Sequence, residues 1–316
     1  MNSKLAYYII KLVRPRQWMK NVALFAAPTF GGQLFKGNVL MGVFLGFAAF
    51  CLLASATYVI NDLFDVEKDK LHPFKRFRPI AAGNISKNQA YVLIAVLIFG
   101  AFIISWQISG AFLLIAIFYL ILQLSYSLLF KSLVIFDILF IAIGYILRVL
   151  AGEVISGYHI SVWLLLTTVS LSLFLAVGKR RSELTLLRNV TGAHITDVRK
   201  SLSHYSDRLL EAYTMMFATS TLIFYALFTF LEASNGIRVP EILLPEFLPD
   251  YFQRKWLMIT IIPVIYGVMR YIQDIYEKSE GESPDRVLLT DKSLLAAVIL
   301  WGILVIFVIY VIGSLG

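Results

Sequence analysis

Apolar stretches of about 20 residues recur along the whole chain and are separated by short polar segments. A helix of about 20 apolar residues spans the hydrocarbon core of a bilayer, which is roughly 30 Å thick. We therefore predict an all-α, polytopic membrane protein with nine transmembrane helices. They lie near residues 16–36, 38–65, 88–107, 110–130, 133–151, 160–178, 208–232, 256–274 and 293–313. No large soluble domain fits between them, so we expect residues 1–316 to form a single transmembrane domain.

The composition supports a membrane protein and excludes several soluble classes. Hydrophobic residues make up 59% of the chain and charged residues only 15%, against roughly 25% charged in soluble domains. The one cysteine, Cys51, lies within an apolar stretch. A disulfide framework within the chain and a cysteine-based zinc site are therefore excluded.

The basic residues predict the orientation of the helices. With the N-terminus in the cytoplasm, 23 of the 28 Lys and Arg residues fall on the inner side and 4 on the outer side. Such an asymmetry is typical of membrane proteins, whose inner loops are enriched in Lys and Arg. The net charge of +8 is explained by this orientation, and we expect no nucleic-acid partner.

An acidic and then basic stretch, NDLFDVEKDKLHPFKRFRPIAAG, follows the second predicted helix at residues 61–83. On a helix Asp62, Asp65 and Asp69 share one face, because they are three and seven residues apart. Carboxylates this close repel one another unless a cation joins them, and hard oxygen ligands suit Mg²⁺ shared with substrate phosphates. The alternative is a solvated helix end, which we disfavour because acidic groups beside hydrocarbon are costly and usually functional.

The same stretch carries the likeness to a known family. Asn61, Asp62, Asp65 and Asp69 match the NDxxDxxxD motif of the UbiA family of intramembrane prenyltransferases, and the nine-helix outline resembles that family too. The resemblance implies a helix bundle with a central cavity opening to the cytoplasmic side. It also implies that the motif binds a diphosphate through Mg²⁺.

A departure from the family pattern points to one branch. Where the family has a second acidic motif, DxxxD, this chain has GKRRSELTLLRN at residues 178–189. Five further stretches are similar to the decaprenyl-phosphate phosphoribosyltransferases, namely RPRQWMKN (14–21), HPFKRFRPIAAG (72–83), SYSLLFKS (125–132), GYILRVLAG (144–152) and GKRRSEL (178–184). The resemblance implies transfer of 5-phosphoribose from phosphoribosyl diphosphate (PRPP) to a polyprenyl phosphate, at the cytoplasmic face of a bacterial inner membrane.

The resemblance also implies roles for individual residues. Asp62 and Asp65 would ligate Mg²⁺, and Asp69 would ligate it directly or through water. Asn61 would orient a ligand or bind ribose. The predicted catalytic residues are Asp62, Asp65 and Lys179. The predicted substrate-binding residues are Asn61, Arg14, Lys20, Lys75, Arg78, Tyr126, Lys131, Arg148, Lys179, Arg180, Arg181 and Glu183.

Some of these assignments have competing interpretations. Buried charges in membrane helices face a cavity or pair with each other. For Asp137 and Arg148 the sequence leaves both arrangements open. Tyr126 and Lys131 are one residue further apart than the family's usual YxxxK spacing. His72, which precedes Pro73, is expected to shape a turn.

Two other functions stay in competition with phosphoribosyl transfer. One is transfer of a prenyl group from a prenyl diphosphate to an aromatic or other acceptor, against which the missing second DxxxD motif counts. The other is transport of an anionic lipid or metabolite, since intramembrane charges also mark transport paths. The sequence leaves a homo-oligomer open.

Overall fold

The computed structural model describes residues 3–71, 75–189, 204–231, 256–277, 287 and 290–312. Within these ranges every regular element is helical, which confirms the all-α prediction. The α-helices are α1 (Ser3–Val13), α2 (Ala26–Phe30), α3 (Gly37–Phe64), α4 (Val66–Leu71), α5 (Lys87–Ile108), α6 (Gly110–Leu128), α7 (Phe136–Ser156), α8 (Val162–Asn189), α9 (Asp207–Leu231), α10 (Ile261–Glu277) and α11 (Lys292–Ile306). His72 and the segment 233–255 lie outside the described residues.

Eight helices of the described part are long and apolar enough to cross a bilayer. They are α3, α5, α6, α7, α8 and α9, together with Trp256–Glu277, which begins with a short 3-10 segment, and Lys292–Ile312, which ends in a π-helical turn. These eight correspond to the second to ninth predicted helices. The chain is therefore a multi-pass membrane protein.

The stretch predicted as the first transmembrane helix has a different form. It begins with a 3-10 helix, Pro15–Phe25, which leads into the short α2. Polar residues occupy successive turns of this 3-10 helix, and their side chains bond to α3: Asn21 donates to the Cys51 sulfur, and Gln17 accepts from the Tyr58 hydroxyl. A continuous apolar helix does not form here because these polar groups are satisfied by α3. The count of nine spans stays a prediction.

The helices group into two compact units. The first comprises Met1–Pro28, Leu34–Leu129 and Leu147–Tyr158. Its core is centred on α3, which packs against α5, α6 and the 3-10 helix. Phe50 lies 5.8 Å from Phe112 and 4.9 Å from Tyr119 between ring centroids.

The second unit comprises Thr29–Gln33, Phe130–Ile146 and His159–Gly316. Helices α8 and α9 form its main pair, and α10 packs against α11. The Tyr225 hydroxyl lies 2.6 Å from the Thr260 hydroxyl and accepts a 2.7 Å hydrogen bond from Trp301 Nε1. Such bonds satisfy polar groups that would otherwise be costly in an apolar interior.

Gly152 of α7 lies directly on the backbone of the 3-10 helix. A Cβ atom at this position would collide with the carbonyl oxygen of Leu24. Because a backbone atom cannot move as a side chain does, only glycine fits where the two elements meet. This contact fixes the 3-10 helix, and with it Arg14 and Lys20, within the first unit.

We expect Gly152→Ala to lower the free energy of unfolding by about 1–3 kcal/mol, because the added methyl group forces the two backbones apart. Thermal unfolding of the purified protein in detergent measures this change. Gly302→Ala is the matched control, since a Cβ at position 302 of α11 meets nothing within 4 Å. Equal melting temperatures for the two variants would contradict the proposed contact.

Candidate functional site

A break between two helices brings two acidic residues together in the first unit. Asp62 lies in the last turn of α3, the helix ends at Phe64, and α4 then carries Asp69. Both aspartates are buried, with 2% and 3% of their surface exposed. Asp65 lies at the break, with φ −93° and ψ 7°. The helix is interrupted at Asp65, so Asp62 and Asp69 belong to two consecutive helices, and the shared face of all three carboxylates stays a prediction.

Arg78 bridges the two buried carboxylates. Its Nη1 lies 3.1 Å from Asp62 Oδ1 and 2.7 Å from Asp69 Oδ2. The Arg78 amide donates to the Lys75 carbonyl, and the chain turns sharply after it at Pro79. One guanidinium thus compensates two carboxylates that would otherwise be costly to bury.

Arg14 supplies a second cation to Asp62. Its Nη2 lies 2.5 Å from Asp62 Oδ1, and its guanidinium lies 5.1 Å from the centre of the Tyr58 ring. The Arg14 backbone is left-handed, with φ 54° and ψ 65°. That conformation is uncommon for a residue other than glycine and is further disfavoured before a proline. Strained backbone of this kind concentrates at functional sites.

The Lys20 side chain is held by Gln17 on the same 3-10 helix. Its Nζ donates to Gln17 Oε1 at 2.5 Å, and the Tyr58 hydroxyl donates to the same oxygen at 3.0 Å. Residues three apart stack on one side of a 3-10 helix, so Lys20 bonds to Gln17, which in turn contacts Tyr58 of α3. The predicted phosphate-binding residues Arg14 and Lys20 thus lie along the helix that carries Asp62.

Arg148 is held inside the first unit by uncharged groups. Its Nε donates to Asn21 Oδ1 and its Nη2 donates to the Tyr119 hydroxyl, each at 2.7 Å. The guanidinium also lies 4.8 Å from the centre of the Tyr119 ring. Only 5% of Arg148 is exposed. These bonds fix a cation within a membrane-spanning helix.

The second unit contains another buried charge cluster. Arg180 is fully buried; its Nε lies 3.4 Å from Asp137 Oδ2 and its Nη1 lies 2.5 Å from Glu183 Oε2. The Tyr205 hydroxyl donates to Asp137 Oδ1 at 2.8 Å and accepts from the Ile135 amide at 2.8 Å. This geometry favours a positioning role for Arg180 over direct contact with a substrate phosphate.

The neighbours of Arg180 are more accessible. Lys179 and Arg181 are half-buried at the cytoplasm-facing end predicted for α8. The Arg181 guanidinium lies 3.4 Å from the centre of the Tyr276 ring, and its Nη1 makes no hydrogen bond. Contact with an aromatic face stabilises a cation without neutralising it. Substrate binding by Arg181 stays a prediction.

Comparisons with known proteins agree with this arrangement. The model of the UbiA prenyltransferase family matches residues 24–286. The chain belongs to the UbiA prenyltransferase family. It is 36% identical to the decaprenyl-phosphate phosphoribosyltransferase of Mycolicibacterium smegmatis, with 93% of this chain and 89% of that protein covered. It is 35% identical to the enzyme of the same name from Corynebacterium glutamicum, with 97% and 88% covered.

Solved structures share the fold of this UbiA-family chain. A UbiA homolog from Archaeoglobus fulgidus, bound to GPP and Mg²⁺, superimposes with a TM-score of 0.68 at 19% identity, over 95% of this chain and 99% of that one. At this identity the likeness establishes the fold. The same homolog was also solved with Cd²⁺.

The donor atoms at the acidic break fit a hard divalent cation. Asp62 and Asp69 each place a carboxylate oxygen within 3.1 Å of one Arg78 nitrogen, so both carboxylates face the same cation. In the arrangement described, arginine has that position, and no three His, Cys, Asp or Glu side chains of the described residues form a metal cluster. A metal would hold Asp62 and Asp69 in place of the guanidinium.

Four further predicted site residues are described by their position in the fold. Asn61 lies on α3 beside Asp62, Lys75 opens a short 3-10 turn, and Tyr126 lies near the end of α6. The backbone of Lys131 lies in the 3-10 turn Phe130–Ser132, but its side chain is outside the described residues.

Sequence reasoning missed three groups that support the site. Tyr205 anchors Asp137, Tyr58 contacts the Arg14 and Gln17 side chains, and Asn21 holds Arg148. Only Asn21 gave a signal, because it ends the RPRQWMKN stretch. The two tyrosines stand in apolar or loop sequence with no distinguishing neighbours.

Burial raises the pKa of the Tyr205 hydroxyl, and its hydrogen bond to Asp137 raises it further. The phenol therefore stays protonated and keeps donating to Asp137 through the physiological range. A folded-state pKa above the unfolded value of about 10 stabilises the fold fully below that pH, and this contribution is lost as the pH rises beyond it.

We expect Tyr205→Phe to lower the free energy of unfolding by about 1–3 kcal/mol, since Asp137 loses a buried donor. Urea unfolding in detergent across a pH series measures the loss. The difference from wild type should be constant from pH 6 to 9 and shrink above about pH 10. Tyr213→Phe on α9 is the control and should stay close to wild type. A loss that grows above pH 10 would contradict the assigned hydrogen bond.

Proposed function

We propose that this protein transfers 5-phosphoribose from PRPP to a polyprenyl phosphate such as decaprenyl phosphate, and releases diphosphate in an Mg²⁺-dependent reaction. The observation that carries the proposal is the pair of buried aspartates held among cations in the first unit. The two relatives named above are called decaprenyl-phosphate phosphoribosyltransferases and align along nearly the whole chain, which supports the same substrates here.

The charges of the substrates match the residues available. PRPP brings a diphosphate and a 5-phosphate, and the lipid acceptor brings a third phosphoryl group. Arginine binds phosphate oxygens through a planar fork of donors, and lysine binds them as a point charge. We assign Arg14, Arg78 and Lys75 to the donor phosphates and Lys20 to the acceptor phosphate, and keep Lys179 and Arg181 as proposed substrate-binding residues.

Mg²⁺ would be held by Asp62 and Asp69, with Asp65 direct or through water, and would neutralise charge on the leaving diphosphate when bound. Arg78 and Arg14 carry the rest of that stabilisation, because preorganised cations act most strongly on charge that develops during the reaction. Asn61, next to Asp62 on α3, would orient the ribose or a ligand.

The transfer needs one bond to break and one to form at C1 of the ribose. The C1–O bond to diphosphate breaks with its electron pair leaving on diphosphate, and an oxygen of the acceptor phosphate forms the new bond to C1. That acceptor oxygen is already ionised at neutral pH, so a strong general base is not required. Positive charge develops on the ribose as the C1–O bond breaks, and we expect the acceptor oxygen to approach C1 from the face opposite the departing diphosphate.

Location follows from the substrates and the charge asymmetry. PRPP is soluble and the acceptor is a lipid, so the site would face the cytoplasm at the inner membrane of a bacterium, with the N-terminus on the same side. The excess of Lys and Arg on the predicted inner side supports this orientation. We treat the chain as one catalytic domain, because the family model spans residues of both units.

We expect purified protein in detergent to release diphosphate only when Mg²⁺, PRPP and a polyprenyl phosphate are all present. Asp62→Asn should reduce the rate by at least about 100-fold, since it removes a charged group at the leaving diphosphate. Glu67→Gln is the control, because Glu67 is exposed on α4 and pairs with Lys70; its rate should stay near wild type.

Two other outcomes would redirect the assignment. Release from a prenyl diphosphate and an aromatic acceptor, without release from PRPP, would support ordinary prenyl transfer. This chain is 25% identical to the digeranylgeranylglyceryl phosphate synthase of Archaeoglobus fulgidus, with 81% of this chain covered. Prenyl transfer is therefore the main alternative to phosphoribosyl transfer. Metal-independent passage of substrate without diphosphate release would support a transporter.

We expect inversion of configuration at C1, because a single direct displacement places the acceptor on the face opposite the departing diphosphate. Nuclear magnetic resonance of the phosphoribosyl lipid reports the anomeric configuration. The configuration of the C1–O bond in PRPP is the reference. Retention in the product would reject direct displacement and require two successive steps.

A further inference from the structure

The four side chains at the end of α3 form a cluster with no net charge. Asp62 and Asp69 contribute two negative charges, and Arg14 and Arg78 contribute two positive charges. Asp62 Oδ1 accepts from both arginines, at 2.5 Å and 3.1 Å. The charges of these four side chains therefore balance.

Arg78 contacts the oxygens through which Asp62 and Asp69 would hold a metal between them. Arg78 Nη1 contacts an oxygen of each aspartate, and Mg²⁺ would need to approach the same oxygens to about 2.0–2.1 Å. A guanidinium and a metal cannot contact both oxygens in this way at once. A metal held by these two oxygens would therefore draw Arg78 away from at least one aspartate.

The exposure of the four side chains indicates which of them can move. The aspartate side chains are 2% and 4% exposed, whereas those of Arg14 and Arg78 are 28% and 25% exposed. The acids are fixed in the helices, and the guanidinium groups reach them from the more accessible side. The Arg14 backbone keeps its strained left-handed conformation while its side chain contacts Asp62. Relief of this strain favours release of Arg14 when another ligand replaces it at Asp62.

We propose that Arg14 and Arg78 compete with the divalent metal for Asp62 and Asp69, and that metal entry transfers both arginines from carboxylate to substrate phosphate. The inference rests on the proposed function for the identity of the phosphate donor, PRPP. Entry of a divalent cation changes the cluster from neutral to a net charge of +2. Before that exchange the site attracts a diphosphate weakly, and afterwards it binds one strongly.

The exchange couples the two ligands. Metal alone must displace the arginines from their carboxylates without supplying them a new anion, so its affinity is low. PRPP gives the displaced guanidinium groups new partners, and each ligand therefore strengthens the other by the same factor. In this way the enzyme avoids holding a metal tightly without its substrate.

The test measures metal binding directly, without turnover. Mn²⁺ serves as the probe, and its free concentration is followed by electron paramagnetic resonance with purified protein in detergent and no PRPP. Arg78→Gln removes one competing cation, so we expect Mn²⁺ to bind at least about 5-fold more tightly than to wild type, at the lower end of usual coupling factors. Arg76→Gln is the matched control: Arg76 is exposed on the same turn and stacks on Phe77, so its affinity should change less than about 2-fold.

A second arm measures PRPP binding by calorimetry at saturating Mn²⁺. Arg78→Gln should weaken PRPP binding at least about 5-fold, while Arg76→Gln should stay near wild type, because only Arg78 exchanges partners. Arg14→Gln provides an independent variant for both arms, and decides the question if Arg78→Gln does not fold.

Unchanged or weaker Mn²⁺ binding in the folded variants would overturn the competition. Tighter Mn²⁺ binding with unchanged PRPP binding would overturn the transfer of arginine to phosphate. Failure of the proposed function is distinguishable, because wild-type protein would then bind no PRPP while the Mn²⁺ arm still gives its answer. A prenyl diphosphate would replace PRPP in the second arm in that case.

Discussion

The ion bridge from Arg78 to Asp62 and Asp69 is the interaction on which the first unit's chemistry depends. Two carboxylates at the end of a membrane-spanning helix are costly to bury unless cations accompany them. The 3.1 Å and 2.7 Å contacts of one guanidinium, with Arg14 adding a second, remove that cost. Asp62 and Asp69 therefore hold the loop around Arg78 in place, and Asp62 also holds Arg14, the residue before Pro15.

The same constraint shapes the second unit in a different way. Arg180 is fully buried and is compensated by Asp137 and Glu183. Because those acids compensate its charge, the Arg180 side chain fixes the end of α8, whereas the adjacent Lys179 and Arg181 are half-buried. A basic run in the sequence thus separates into one fully buried residue and two half-buried ones.

Polar groups also explain why the N-terminal stretch is not a regular spanning helix. Gln17, Lys20 and Asn21 bond to side chains of the first unit or to each other, and Asn21 in turn holds Arg148. In an apolar environment such bonds are needed by every polar group. The requirement to satisfy them, together with the backbone contact at Gly152, sets the shape of this segment.

The sequence by itself determined the all-helical membrane class, eight of the spans and the acidic motif, because hydrophobic length and local spacing are properties of a single helix. It did not determine the break at Asp65 or the partners of each charge. Arg14 and Asp62 are 48 residues apart, Tyr205 and Asp137 are 68 apart, and Arg148 and Asn21 are 127 apart. Only the tertiary structure could decide these pairs, because packing brings distant side chains within hydrogen-bond distance and local spacing carries no information about it.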